Sequence, residues 1–294
     1  DQVMKKLYET CQMSVVAERT GAILNQDFEK IDVKTPQAML SKTYGLLKPA
    51  VEADLIINVA KMKTHCFTML TCATKNYFGL IPGLLKMQYH FTLPKIEMFS
   101  NMLLDIEQHI AHKTINIVDG IWGMEGNGPS NGSPINSQAL IASYNSVSAD
   151  ILACHVMGID PHKISTITEA EKRSIIDSIE TIKIIADRDI VKYKFQTPPE
   201  RGRTIPDFIP DQLAFRINNA LMPKPIIQSD KCVGCRVCEK ACPAKIISIK
   251  DQKAKINRYD KCIRCFCCQE VCPHDAIDIK IPLARKLLRK LKIR

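Results

Sequence analysis

The sequence predicts an α/β domain, built on a mainly parallel sheet with helices on both faces, followed by a small α+β domain. Three observations carry that reading. Short apolar runs alternate with helix-like segments through residues 1–197. Six of the 16 prolines crowd between Pro198 and Pro225, a stretch that holds neither a long helix nor a central strand and suits a semi-rigid spacer. Nine of the 13 cysteines then fall between Cys232 and Cys272. The expected boundaries are 1–197 for the α/β domain, 198–228 for the spacer, 229–281 for the cysteine-rich domain and 282–294 for a basic tail.

In the first domain, Val3, Leu7 and Cys11 step at helical spacing, and Gly21 offers a stop. Leu55–Val59 (LIINV) is an apolar run between Asp54 and Lys61, the mark of a strand buried on both faces. Ile115–Val118, Ala139–Ser143 and Thr181–Ile185 repeat that signature. Phe99–Ala111 and Ser148–Met157 read as the helices between them, with Asp150 near the start of the latter. A short helix around Gln212–Leu221 interrupts the spacer.

The cysteines form an internal repeat. Cys232, Cys235, Cys238 and Cys242 precede Pro243; Cys262, Cys265, Cys268 and Cys272 precede Pro273, at a constant offset of 30 residues. Each copy reads C-x2-C-x2-C-x3-C-P, the spacing of bacterial ferredoxins that carry two 4Fe–4S clusters. In that spacing three cysteines wrap one cube and the fourth ligates the other. Cys232, Cys235, Cys238 and Cys272 are therefore assigned to one cluster, and Cys262, Cys265, Cys268 and Cys242 to the second. Four-cysteine zinc sites are the alternative, but they usually pair two CxxC knuckles. Cys267 falls outside the register and reads as a bystander.

Thiolate-held clusters suit a reducing compartment, so Cys11, Cys66, Cys72 and Cys154 read as buried small hydrophobes and the expected location is cytoplasmic. No secretory leader or membrane-length apolar run is visible. The formal charge of +10 is concentrated at the end: residues 280–294 carry seven cations and no acid. Leu283, Leu287, Leu288 and Leu291 recur there at helical spacing, so the tail is expected to pack on the cysteine-rich domain or touch an anionic membrane surface. No aromatic residue interleaves with these charges, which argues against nucleic acid.

Polar chemistry gathers after the strand-like runs, where open parallel sheets place their ligands. Lys61, Lys63, Lys75, Asn76, Lys86 and His90 are candidate ligand-binding residues, and His65 and Lys63 candidate catalytic ones. Asp119 and Glu125 are candidate acid–base or metal-binding partners for them. A glycine-rich segment includes Gly126 and Gly128, whose amides are candidates to cup an anion.

The segments AKMKTH…KNYFGLIPGLLK…H, VDGIWGMEGNGPSNGSP and SAD…HVMGIDP resemble the family catalogued as domain of unknown function 362. That resemblance implies an α/β domain over residues 1–197, of a kind often fused to a two-cluster ferredoxin module. It also implies further strands and a glycine-containing loop before residue 1, which have no counterpart here. The combined expectation is an iron–sulfur oxidoreductase. It would pass low-potential electrons through two 4Fe–4S clusters to a further small-molecule ligand on the α/β domain. The alternatives are an electron carrier or adaptor whose α/β domain binds a redox partner protein, and a metalloenzyme maturation factor.

Overall fold

The computed structural model of the chain describes residues 2–93, 95–198 and 222–283, without the side chains of Gln2, Val3, Leu84, Met87, His90 and Phe91. The helix expected at 212–221 and the tail from residue 284 onward lie outside the described residues.

The first domain starts with helices α1 (Gln2–Thr10) and α2 (Met13–Thr20) and the strands β1 (Lys30–Lys34) and β2 (Thr43–Leu47). Gly21 closes α2 as expected, in a left-handed conformation with its N–H on the Ala17 carbonyl. Next come α3 (Lys48–Glu52), β3 (Ile56–His65), β4 (Met69–Thr71), α4 (Ala73–Asn76), α5 (Gly83–Thr92) and α6 (Ile96–Ile110). The domain continues through β5 (Thr114–Asn127), β6 (Asn131–Ser143), α7 (Ser146–Met157) and α8 (Ser165–Lys172). Asn145 caps α7, its side chain accepting the Ser148 N–H at 2.9 Å.

The main sheet has the order β4-β3-β5-β6 and is mixed, not mainly parallel. Only β3 and β5 run parallel; β4 pairs antiparallel with β3, and β6 with β5. The reason is local. The glycine-rich segment expected to be a loop is the far half of a hairpin, so no crossover helix separates β5 from β6. Thr181–Ile185 is irregular rather than a strand. A nearby stretch straps α7 instead, Tyr193 N–H bonding the Val156 carbonyl at 2.7 Å and Phe195 N–H the Met157 carbonyl at 3.0 Å.

Among the described residues, helices cover one face of the sheet. Asn58, Ala60, Met62 and Thr64 of β3, with Thr114, Asn116 and Val118 of β5, are buried on that face. Their alternating neighbours are open: Ile57 is 57% exposed, Val59 60% and Leu140 68%. LIINV reads as doubly buried because both of its faces are apolar. Two cores lie under the covered face. One gathers Met62, Val118 and Ile141 with α7 and α8, and the other gathers β1, β2, Phe67, Phe78 and α6. A polar seam joins the buried elements: Asn58 Nδ2 and Tyr77 Oη both donate to Asn116 Oδ1, at 2.8 and 2.7 Å.

The cysteine-rich unit contains β7 (Lys224–Ile227), α9 (Val237–Ala241), β8 (Ile247–Lys250), β9 (Lys253–Ile256), α10 (Cys267–Glu270) and β10 (Ile277–Lys280). β7 pairs antiparallel with β10, and β8 with β9. Residues 224–227, assigned to the spacer by their prolines, thus belong to this unit; Pro225 is tolerated because β7 pairs with one strand only. The backbone repeats as the sequence does. Left-handed φ recurs at Gly234 and Arg264, Arg236 and Phe266, and Lys245 and Asp275, each pair 30 residues apart. The two halves are pseudosymmetric.

Candidate redox site

The four-residue cysteine sets line two separate pockets. One is bounded by Cys232, Cys235, Cys238 and Cys272. The other is bounded by Cys242, Cys262, Cys265 and Cys268. These are the crossed sets that the spacing implies. Four thiols around each pocket, walled by Ile227, Ile249 and Ile277 or by Ile246, Ile247 and Ile256, suit a cubane. Burial pushes the Cys238 thiol up to about 11 and also raises Cys262 and Cys268, so a cation must share their charge if they are to be thiolates. Backbone donors reach the sulfurs: Ala254 N–H lies 3.4 Å from Cys232 Sγ and Ala276 N–H 3.3 Å from Cys272 Sγ. Among the described residues no group of three or more His, Cys, Asp or Glu is placed to hold a single metal ion.

The second cysteine arm is pressed against the end of β3. Phe266 packs with Cys66 and Ile279. Gln269 Nε2 donates to the Asn127 carbonyl at 3.1 Å, and Ser130 Oγ to the Glu270 carbonyl at 3.2 Å. His65 is fully buried, and its Nε2 stands 3.1 Å from Glu270 Oε1. Its Nδ1 accepts the N–H groups of Phe67 at 2.9 Å and Thr68 at 3.4 Å. Nδ1 is therefore the acceptor, which puts the ring proton of neutral His65 on Nε2. Burial, then the nearby Lys75, lowers the His65 pKa to about 4, so the ring is neutral near pH 7.

Three cations share this corner. Lys63 Nζ donates to the Pro129 carbonyl at 3.1 Å, and Lys75 Nζ lies 5.8 Å from the Phe78 ring centre. Burial lowers the pKa of Lys63, Lys75 and Lys86 alike, while the Glu270 carboxylate pulls the first two back up. Lys75 also feels Lys63, Lys86 and Cys267. Lys75 is delivered by α4, whose N-terminus is fixed from α7: the Asp150 carboxylate accepts Ala73 N–H at 2.7 Å and Thr74 N–H at 3.3 Å. The helix-start residue expected at Asp150 thus caps a different helix.

The structure brings together Lys63, His65, Lys75 and Lys86, and separates the remaining candidates. Lys61 pairs with Asp119 at 2.6 Å, both substantially exposed. Glu125 Oε2 accepts the Gln196 N–H at 2.7 Å, so neither acid joins His65 as an acid–base or metal partner. Asn76 Nδ2 donates to Asn58 Oδ1 at 2.7 Å and belongs to the buried seam. The His90 side chain lies outside the described residues; its backbone is in α5. Nor do Gly126 and Gly128 present free amides. Gly126 N–H bonds the Gln196 carbonyl at 2.7 Å, and Gly128 N–H the Gly126 carbonyl at 2.9 Å. Gly128 serves close approach instead: a Cβ there would fall 2.0 Å from the Thr64 carbonyl oxygen.

Glu270, Gln269 and Phe266 were not visible as site residues from composition or motif. Their signal lies in the repeat: at the 30-residue offset, Phe266 replaces Arg236, Cys267 replaces Val237, Gln269 replaces Glu239 and Glu270 replaces Lys240. The copies diverge on the face that docks.

An α/β unit joined to a cysteine-rich module with two pockets defines a class, an iron–sulfur protein with an appended sheet domain. Residues 1–155, more than half of the chain, match the family model described as domain of unknown function (DUF362), so the chain belongs to that family. Residues 224–273 match a 4Fe–4S dicluster domain, a ferredoxin-like module that supports iron–sulfur electron transfer. The thylakoid-associated protein sll1697 of Synechocystis sp. is 35% identical over 128 residues, 43% of this chain and 40% of that protein. The chain thus matches less than half the length of this curated relative. No solved structure matches.

Proposed function

We propose that the protein is an oxidoreductase that delivers electrons singly from its iron–sulfur module to a small anionic acceptor at Lys63, His65, Lys75 and Lys86. The observation that carries this reading is the 3.1 Å contact of His65 with Glu270, which lies between Cys268 and Cys272 and so ties the basic corner to the second cysteine set. When bound in the two pockets, 4Fe–4S clusters supply one-electron, low-potential chemistry. Cys232, Cys235, Cys238 and Cys272 would hold one, and Cys242, Cys262, Cys265 and Cys268 the other.

The remaining chemistry belongs to the chain. Three lysines and one carboxylate leave an excess of positive charge, which binds an anion and stabilises the charge that each electron adds. The depressed pKa of Lys75 makes its ammonium the better proton donor to a reduced acceptor. The two amides on Nδ1 fix the His65 ring with its Nε2 3.1 Å from the Glu270 carboxylate.

The test is reoxidation of dithionite-reduced protein by a panel of small unsaturated carboxylates and phosphoryl compounds, with cationic methyl viologen as control. The reading expects Lys75→Ala and His65→Gln to lose about tenfold with an anionic acceptor, roughly 1.4 kcal/mol of barrier, and to keep the wild-type rate with the viologen. Unchanged rates with every anion, or equal losses with both kinds of acceptor, contradict it.

The adaptor reading has its own support in the sheet face that no described helix covers, where Ile57, Val59, Leu140, Ile121 and Trp122 are exposed and could meet a partner protein. For residues 282–294, peripheral membrane contact is a further proposal, in keeping with a relative named as thylakoid-associated. Truncation at Pro282 should abolish salt-sensitive binding to anionic liposomes; unchanged binding contradicts it.

A further inference from the structure

The cysteine-rich unit has two pseudosymmetric faces, and among the described residues one of them packs against the α/β domain. Residues 263–270 carry that face. Phe266 and Gln269 are almost completely buried there, and Cys265 is buried with them. The equivalent residues 233–240 are open: Val233 is 57% exposed, Val237 37%, and Cys235 is exposed as well. The backbone is the same on both faces, since Arg236 and Phe266 have φ of 65° and 61° and each precedes a short helix. Side chains differ where docking would demand it. Where the docked copy has Phe266, Gln269 and Glu270, the open copy has Arg236, Glu239 and Lys240.

We infer that this open face docks a second electron-transfer protein, an acidic one-electron carrier that loads the module through the Cys232, Cys235, Cys238 and Cys272 set. The inference goes beyond the proposed reaction, because it concerns how electrons arrive and not what receives them. The pocket bounded by those cysteines opens among Val233, Gly234, Arg236, Val237 and His274. Two exposed valines supply an apolar centre, and Lys231, Arg236 and Lys240 a basic rim. Of the acids in this stretch, Glu239 faces Arg236 at 3.6 Å, leaving Lys231 and Lys240 to meet a partner's carboxylates. With clusters held by the eight cysteines, each transfer would oxidise the carrier by one electron and reduce the cluster pair by one. The chain thereby acquires a direction: uptake at the first arm, which is exposed, and delivery at the second, which abuts His65 and Lys75.

The experiment uses the full chain, anaerobically loaded with iron and sulfide, and reduced flavodoxin as the acidic one-electron probe. Zero-length carbodiimide coupling followed by peptide mapping should join flavodoxin carboxylates to Lys231 or Lys240. Stopped-flow reduction at low salt should slow about tenfold in Lys240→Glu and in Lys231→Glu, while reduction by dithionite stays at the wild-type rate. Cross-links confined to lysines outside residues 229–281, or wild-type rates in both variants, overturn the inference. Iron content and dithionite reduction are measured independently, and the reoxidation test above follows electrons leaving the module. Failure of docking is therefore distinguishable from failure of the proposed function.

Discussion

His65 concentrates the physics of the site in one side chain. It is fully buried, accepts two backbone N–H groups on Nδ1 and turns Nε2 to Glu270. Its pKa falls from 6.5 to about 4 because burial penalises the imidazolium. Between those values the unfolded chain binds the extra proton more readily, so His65 favours the folded state fully above pH 6.5 and loses that advantage as pH falls toward 4. Chemical denaturation across this range should show stability rising with pH, and His65→Gln should flatten that rise; an unaltered slope contradicts the buried neutral ring. His65→Ala removes the acceptor of two buried amides and should cost about 1–3 kcal/mol by denaturant midpoint. The motif AKMKTH made His65 legible as a polar residue after a strand. It could not show that the partner would be Glu270, because that contact joins residues 205 positions apart in the chain.

At the scale of elements, α4 explains how Lys75 is held. A helix of four residues has no stability of its own, and Asp150 anchors its first amides from α7. Asp150→Ala should cost about 1–3 kcal/mol and release Lys75 from its corner, whereas Asp150→Asn retains an acceptor and should lose less. Thermal melts combined with anionic-acceptor kinetics separate the two; equal behaviour of both variants contradicts the capping role. The β5–β6 hairpin was the element least legible in sequence. Glycine is poor in strands, so its glycines read as a loop. The structure shows packing needs instead: a Cβ on Gly120 would lie 2.6 Å from the Met62 methyl carbon. The single parallel pair follows from this hairpin, and apolar runs alone carry no strand direction.

Over the whole molecule, the cysteine repeat was readable because thiolate spacing is nearly a covalent constraint, and the crossed sets do line two pockets. The domain of residues 224–280 has a small core composed partly of those cysteines, which a cluster would complete. Removing iron with a chelator under oxidising conditions should raise hydrogen exchange throughout β7–β10 while α6 and α7 stay protected by their own cores. Uniform loss of protection, or none, contradicts that division. The α/β domain was readable as a class, while its site depended on contacts between the domains that no local pattern encodes. Native mass spectrometry of anaerobically purified protein decides whether the clusters serve a bound acceptor. Two 4Fe–4S clusters and an additional small anion are expected, the anion being lost in Lys75→Ala. Two clusters with no further mass would contradict a ligand-bearing oxidoreductase.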